Sequence, residues 1–129
     1  MSSNESRTTA PVKAYAFAHL RSTRMGPPIV EYLERIDATL EPYGGRFIVH
    51  GADPEVLEGE FPGVLVMIEF PDRGSARAWY DSPAYQEIIR LRIENTDGSV
   101  ALVDGVSVPH RAVDILAVRA GQQHAATRA

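Results

Sequence analysis

His19 and His50 are the side chains in this chain best suited to moving a proton near neutral pH. Each stands near the end of a run of alternating residues, VKAYAFAHL at Val12–Leu20 and RFIVH at Arg46–His50. In a strand, successive side chains point to opposite faces. His19 then shares a face with Tyr15 and Phe17, and His50 shares one with Arg46 and Ile48. If both faces point the same way, the imidazoles join Arg46 and Glu69 in a half-buried polar cluster. One histidine would serve as general base, and Arg46 would hold the negative charge of an enolate or carboxylate. The plainer reading is an Arg46–Glu69 pair that closes the sheet inside a hydrogen-bonded structural cluster. His50, His19, Arg46 and Glu69 are the candidate catalytic set.

A second constellation is aromatic. Tyr15, Phe17, Tyr43, Phe47, Met67, Trp79 and Tyr80 are the candidate ligand-lining residues. At helical spacing, Trp79, Tyr80 and Tyr85 belong more often to a core than to a pocket wall. A buried tyrosine hydroxyl still needs a partner, so one of them is placed to reach a ligand. Tyr80, Asp81 and Ser82 at a helix break make a reasonable pocket rim.

Several chemistries lack support. The chain has no cysteine, so disulfides, thiol nucleophiles and thiolate metal sites are absent together. No G-x-S-x-G elbow, G-x-G-x-x-G turn or Walker loop occurs. Two histidines and a carboxylate would make a metal triad, but no histidine pair has helical or hairpin ligand spacing, and His110 and His124 lie in the tail. We expect no metal and no cofactor. Haem on His19 or His50 is a remoter alternative.

The elements that must position these groups centre on Val64–Gln86. Val64, Val66 and Ile68 alternate with Leu65, Met67 and Glu69, so this strand is apolar on both faces and needs cover on both. Phe70-Pro71 ends it. Asp72 caps a helix whose Ala76, Trp79 and Tyr80 face the sheet. Asp81-Ser82-Pro83 breaks that helix and starts another, with Pro83 in the first turn. Tyr85, Ile88, Ile89 and Ile93 form its apolar stripe; Arg90 and Arg92 point elsewhere, and Asn95–Gly98 stops it. Upstream, Pro27-Pro28 opens a helix to about Glu41, with Ile29, Leu33, Ile36 and Leu40 on one face. Val56–Glu58 reads as a short extended piece and Ser99–Asp104 as the last strand.

The order strand, helix, strand, strand, two-part helix, strand predicts an α+β fold, the ferredoxin-like βαββαβ sandwich. The first and third strands then lie side by side at the centre, with the helices on one face. The other face carries large apolar groups and should not stay wet. A second copy packed sheet to sheet covers it most simply, so we expect a homodimer.

With 129 residues, 44% hydrophobic and 23% charged, the chain suits one globular domain. The domain spans residues 12–106, after a flexible N-terminus over 1–11 and before a C-terminal extension over 107–129. Within that extension Val113–Val118 reads either as a strand exchanged between subunits or as a short helix. The net charge of −4 disfavours nucleic acid and anionic membranes as partners. No apolar run approaches membrane-spanning length, and no signal core opens the chain. The expected setting is the cytoplasm and the expected partner a small molecule.

GGRFIVHG at Gly44–Gly51, VLEG at Val56–Gly59, VMIEFPD at Val66–Asp72, AWYDSPAYQ at Ala78–Gln86 and LVDGV at Leu102–Val106 resemble the family called domain of unknown function 1330. The resemblance covers roughly Lys13 to Val106. It implies the dimeric α+β barrel, two ferredoxin-like sheets facing each other across a two-fold axis. The family usually shows an arginine where this chain has His50, which leans His50 toward function, and the tail beyond Val106 is longer than the family needs. The wider superfamily includes cofactor-independent monooxygenases, small cyclases, isomerases and haem-binding enzymes. The resemblance hands over no reaction, because fold does not imply function. From the candidate residues we expect a small cofactor-independent enzyme acting on an apolar or aromatic metabolite by proton transfer, of isomerase, cyclase or monooxygenase type; the alternative is a non-catalytic dimeric binding or accessory protein.

Overall fold

The structure, a computed structural model, describes residues 12–117 and Arg119. The stretch 1–11, read as flexible, and Val118 with everything from 120 onward lie outside the described residues. Among the described residues, four strands and the three helices that pack on them occur in the expected order. They are β1 (Ala14–Thr23), α1 (Pro27–Leu40), β2 (Arg46–His50), β3 (Val64–Phe70), α2 (Arg73–Asp81), α3 (Pro83–Ile93) and β4 (Thr96–Asp104). The sheet order is β2-β3-β1-β4, every neighbouring pair antiparallel, with the first and third strands at the centre. This is the ferredoxin-like α+β fold. Among the described residues no helix is long and apolar enough to cross a membrane.

The local signals work as their chemistry requires. Pro27 and Pro28 occupy the first turn of α1, where a missing N–H costs nothing. The Asp72 carboxylate accepts from the Ser75 N–H at 2.7 Å and caps α2. Ser82 ends α2 and caps α3, its hydroxyl accepting from the Tyr85 N–H at 3.2 Å. Gly63 has φ +83°, and a Cβ there would collide with the Leu20 carbonyl oxygen, so only glycine lets this turn approach β1.

The period-two pattern sorts β1, β3 and β4 cleanly. Ala14, Ala16, Ala18 and Leu20 pair with Phe70, Ile68, Val66 and Val64 and face the helices. Tyr15, Phe17 and His19 pair with Glu69, Met67 and Leu65 on the open face. Alanines along β1 let the helices come close. Ala14, Ala16, Ile36, Leu40, Ile68, Phe70, Ala76, Trp79, Tyr85, Ile88 and Ile89 form one buried cluster between sheet and helices.

Strand β2 departs from simple alternation. Phe47 pairs with Ile68 and Val49 with Met67, so Ile48 is an extra residue, a β-bulge. One extra residue inverts the parity of the strand beyond it. Arg46 and Val49 therefore lie on the open face, while Phe47 and His50 lie on the helix face. The expectation that His50 shares a face with Arg46 is overturned by this bulge.

Other expectations also change. β4 begins at Thr96, so part of Asn95–Gly98 is strand rather than a helix stop. Val56–Glu58 forms no strand, and Leu57 is 85% exposed. Ile93, assigned to the stripe of α3, is half exposed. In the tail, a 3₁₀ turn at Ala112–Asp114 runs into helical residues at 115–117, so the short-helix alternative holds over the described part.

Candidate functional site

The space between sheet and helices is not filled completely. A cavity of about 100 Å³ remains, floored by the small residues Ala16 and Ala18 with Val66 and Ile68. Ile29, Ile36, Phe47, Trp79 and Leu33 wall it, and its polar groups include Tyr32, Tyr85, Arg92 and His50. Leu33, His50 and Val100 are exposed residues that line it, so the cavity reaches solvent beside them.

Tyr32 on α1 and Tyr85 on α3 are both buried, and their hydroxyl oxygens are 2.7 Å apart. The two rings meet edge to face at 6.2 Å. Arg92, seven residues after Tyr85 and hence on the same side of α3, directs its Nε–H at the Tyr85 oxygen over 3.4 Å. Burial pushes the Tyr32 hydroxyl well above the ordinary tyrosine range; Tyr85 adds to that, and Arg92 opposes it. Burial works against the Arg92 charge, but Tyr85 and Tyr32 outweigh it, and the net shift is upward. At neutral pH the Tyr32 phenol is thus protonated and the Arg92 guanidinium charged. Between the helices, Trp79 donates its indole N–H to the Thr39 hydroxyl at 2.9 Å, and that hydroxyl donates to the Ile36 carbonyl, so these polar groups are satisfied internally.

His50 stacks on Phe47, ring centroids 4.2 Å apart and 18° from parallel, and lines the cavity. Its ring has no hydrogen-bond partner among the described residues. His19 lies on the opposite face of the sheet. Its Nε2 donates to the Pro62 carbonyl at 2.7 Å and its ring lies 4.5 Å from Phe61, which ties down the loop entering β3. The two histidines therefore do not meet, and only His50 reaches the cavity.

Arg46 and Glu69 do meet, on the open face. Their closest approach is 2.8 Å, and Lys13 stands 3.6 Å from the same carboxylate. Tyr15 donates its hydroxyl to Glu69 at 3.4 Å. Desolvation pushes the Glu69 carboxyl up, but Arg46 and Lys13 outweigh it and hold the group below the usual glutamate value. This matches the plainer reading of the pair, an ionic closure of the sheet, and the expected joint cluster with both histidines is not formed.

Of the expected ligand-lining residues, Phe47 and Trp79 face the cavity. Tyr43 and Tyr80 pack against the edge of the core. Tyr15, Phe17 and Met67 lie on the open face. Arg92 corrects the expectation that it points away from the stripe of α3. The signal for it was present: Arg92 comes after Tyr85, Ile88 and Ile89 by seven, four and three residues, the positions of the apolar stripe itself. Tyr32 sits three after Ile29 and four before Ile36, and was equally findable. Among the described residues no three of His, Asp or Glu converge as metal ligands would. The cavity is smaller than the roughly 150 Å³ that holds benzene in an apolar core, so it has no room for a haem as it stands.

Strand order and site together define a ferredoxin-like α+β protein with a cavity under its helices, the architecture of the dimeric α+β barrel class. Residues 13–106 match the family model described as Domain of unknown function (DUF1330), and the chain belongs to that family. Among solved structures it is similar to the RPA0582 protein of unknown function from Rhodopseudomonas palustris, at 14% identity over 81% of this chain and 90% of that one, TM-score 0.58. It is also similar to SnoaB, a cofactor-independent oxygenase from Streptomyces nogalater, at 12% identity over 77% and 99% of the two chains, TM-score 0.51. A dimeric ferredoxin-like protein of unknown function from Jannaschia sp. CCS1 matches at 15% identity over 74% and 99%, TM-score 0.50. At such identities the likeness speaks to fold alone. No curated protein is similar enough to the chain to be matched to it.

Proposed function

We propose that the protein is a homodimeric, cofactor-free enzyme that moves a proton on a small apolar substrate held in the cavity between helices and sheet. The observation that carries this is the joint lining of one apolar space by an imidazole and by a guanidinium–phenol cluster. In the proposed step His50 takes a proton from carbon, and the electron pair moves onto the adjoining oxygen as an enolate. Arg92 and the tyrosine hydroxyls hold that charge, the role expected of Arg46 from the sequence. His50 then returns the proton to the same or a conjugated carbon, which gives exchange or isomerisation without oxidant or reductant. That SnoaB, with the same fold, is a cofactor-independent oxygenase supports a reading in which side chains alone do the chemistry. The homodimer is supported by the open sheet face and by the dimeric protein from Jannaschia. A cytoplasmic setting, which the cysteine-free chain fits, belongs to the same reading.

Deuterium uptake tests the step. Small apolar carbonyl compounds and acids are incubated with the protein in heavy water, and exchange at the carbon beside the carbonyl is monitored by NMR. Catalysed exchange should appear for part of the panel and fall by roughly 10²-fold or more in His50→Ala. Exchange unchanged in that variant would remove His50 from the mechanism. A second reading, non-catalytic binding, is favoured by one observation: no described residue hydrogen-bonds the His50 ring to orient it for catalysis. It predicts ligand binding without exchange for any member of the panel.

A further inference from the structure

Arg92 differs from the arginines around it. Arg21, Arg35, Arg46, Arg73, Arg77 and Arg90 each meet a carboxylate at the surface. Arg92 lines the cavity, and among the described residues no acidic side chain stands within ion-pair distance of it. Its side-chain partners are Tyr85 and Tyr32, and a phenol brings no countercharge. A cation withdrawn from water without an anion is costly, and the cost falls when an anion is supplied.

The donors and acceptors of the cluster can be counted. A guanidinium only donates. Each phenol brings one proton and an oxygen that accepts. The hydroxyls share one hydrogen bond at 2.7 Å, which uses one of their two protons, whichever ring donates it. Arg92 donates to Tyr85, so it consumes an acceptor and uses no hydroxyl proton. One O–H and the remaining guanidinium N–H groups are left over. That end of the cavity is therefore rich in donors and short of acceptors, and positively charged. The rest of the lining is Ala, Val, Leu, Ile, Phe and Trp, with Thr23, Thr96 and the His50 imidazole. A ligand that answers all of this brings a planar anionic acceptor with two oxygens on a short apolar body. A carboxylate presents two oxygens to the planar fork of an arginine, and the spare phenol O–H reaches the same group.

We infer that the cavity binds a small apolar carboxylic acid, its carboxylate held by Arg92 and the Tyr32–Tyr85 hydroxyl pair and its carbon skeleton in the alanine-floored space. The volume sets the size. A cavity of about 100 Å³ with an open side takes a short branched chain, and a single ring only with one edge projecting through that opening. The inference deepens the proposed function by naming the substrate class of the same cavity, and it stands or falls on binding rather than on turnover.

The probes are 2-methylpropanoate and its neutral isostere 2-methylpropanamide, with benzoate and benzamide as the larger pair. Each is titrated into the full chain at neutral pH and monitored by calorimetry and by shifts of the Ala18 and Val66 methyl signals. At least one acid should bind tenfold or more tightly than its amide and move those methyls. Arg92→Met should remove the preference, Arg92→Lys should restore part of it, and Tyr85→Phe should weaken the acid more than the amide. If Arg92→Met does not fold, the acid-to-amide ratio on the unaltered protein and the Tyr85→Phe result decide. Equal binding of acid and amide, a preference that survives Arg92→Met, or no binding of any probe at millimolar concentration would overturn the inference. Acid preference in the unaltered protein without any catalysed exchange would uphold the site while sinking the enzyme reading. His50-dependent exchange on neutral carbonyl compounds, with no acid preferred over its amide, would do the reverse.

Discussion

The two faces of one sheet are built from the same strands and read very differently. On the helix face, β1 offers Ala14, Ala16, Ala18 and Leu20, and the aromatic bulk comes from the helices as Tyr32, Trp79 and Tyr85. On the open face, β1 itself carries the bulk as Tyr15 and Phe17, beside Met67, Leu65 and Val103. Small residues under large ones leave a cavity, and a polar cluster inside it keeps donors unspent. Large residues in a row on an uncovered face leave none; the ionic groups there, Lys13, Arg46 and Glu69, already satisfy one another. One face is therefore a place to hold a ligand, and the other a place to hold a second sheet.

The comparison breaks most completely if the open face is made charged. Phe17→Glu at the centre of that face should convert a dimer into single subunits, seen as a halved mass by light scattering, with the cavity face unperturbed. A protein that is already a single subunit before the substitution would refute the proposed assembly.

Filling the cavity is the next largest change. Ala18→Leu pushes a side chain into the space and should cost about 1–3 kcal/mol in chemical denaturation while reducing ligand binding more than tenfold. The same exchange at Ala101, on the open face, should leave binding intact.

The buried phenols come after it. Tyr85→Phe strips a hydroxyl from the bond to Tyr32 and leaves Arg92 short of an acceptor, for a loss of about 1–3 kcal/mol. Alkaline titration probes the same pair. The folded-state value of Tyr32 is raised above its unfolded one, so its contribution is complete below the ordinary tyrosine value of 10.0 and is lost as pH rises beyond it. Tyr32 should therefore stay out of the tyrosinate absorbance rise until the chain unfolds.

The smallest effect belongs to Glu69. Its folded value lies below its unfolded one, so its stabilising contribution is present above the usual glutamate range and fades as pH falls through the lowered value. The difference in stability between the unaltered protein and Glu69→Gln should be visible at pH 7 and shrink toward acid, measured by urea denaturation across that range.

Much of this comparison was legible in the residues. Alternation in Ala14–His19 separates small from large, and the caps at Asp72 and Ser82 place both breaks in the second helical arm. What was not legible has one local cause and one of habit. The Ile48 bulge inverts β2 beyond Phe47, and a period-two reading of five residues has no signal for an extra one. That single residue parts His50 from Arg46. Arg92 and Tyr32 were readable by spacing, but a charge on an apolar stripe is easily assigned to solvent, and a tyrosine at the stripe's own spacing passes for one more core residue. The most informative side chains were the ones that broke a pattern.

Methyl-resolved NMR with a single small acid tests the division of labour between the two faces most directly. On addition of 2-methylpropanoate, the account predicts shifts at Ala16, Ala18 and Val66, with Met67 and Val103 silent. Shifts confined to Met67, Val103 and their neighbours on the open face would contradict it.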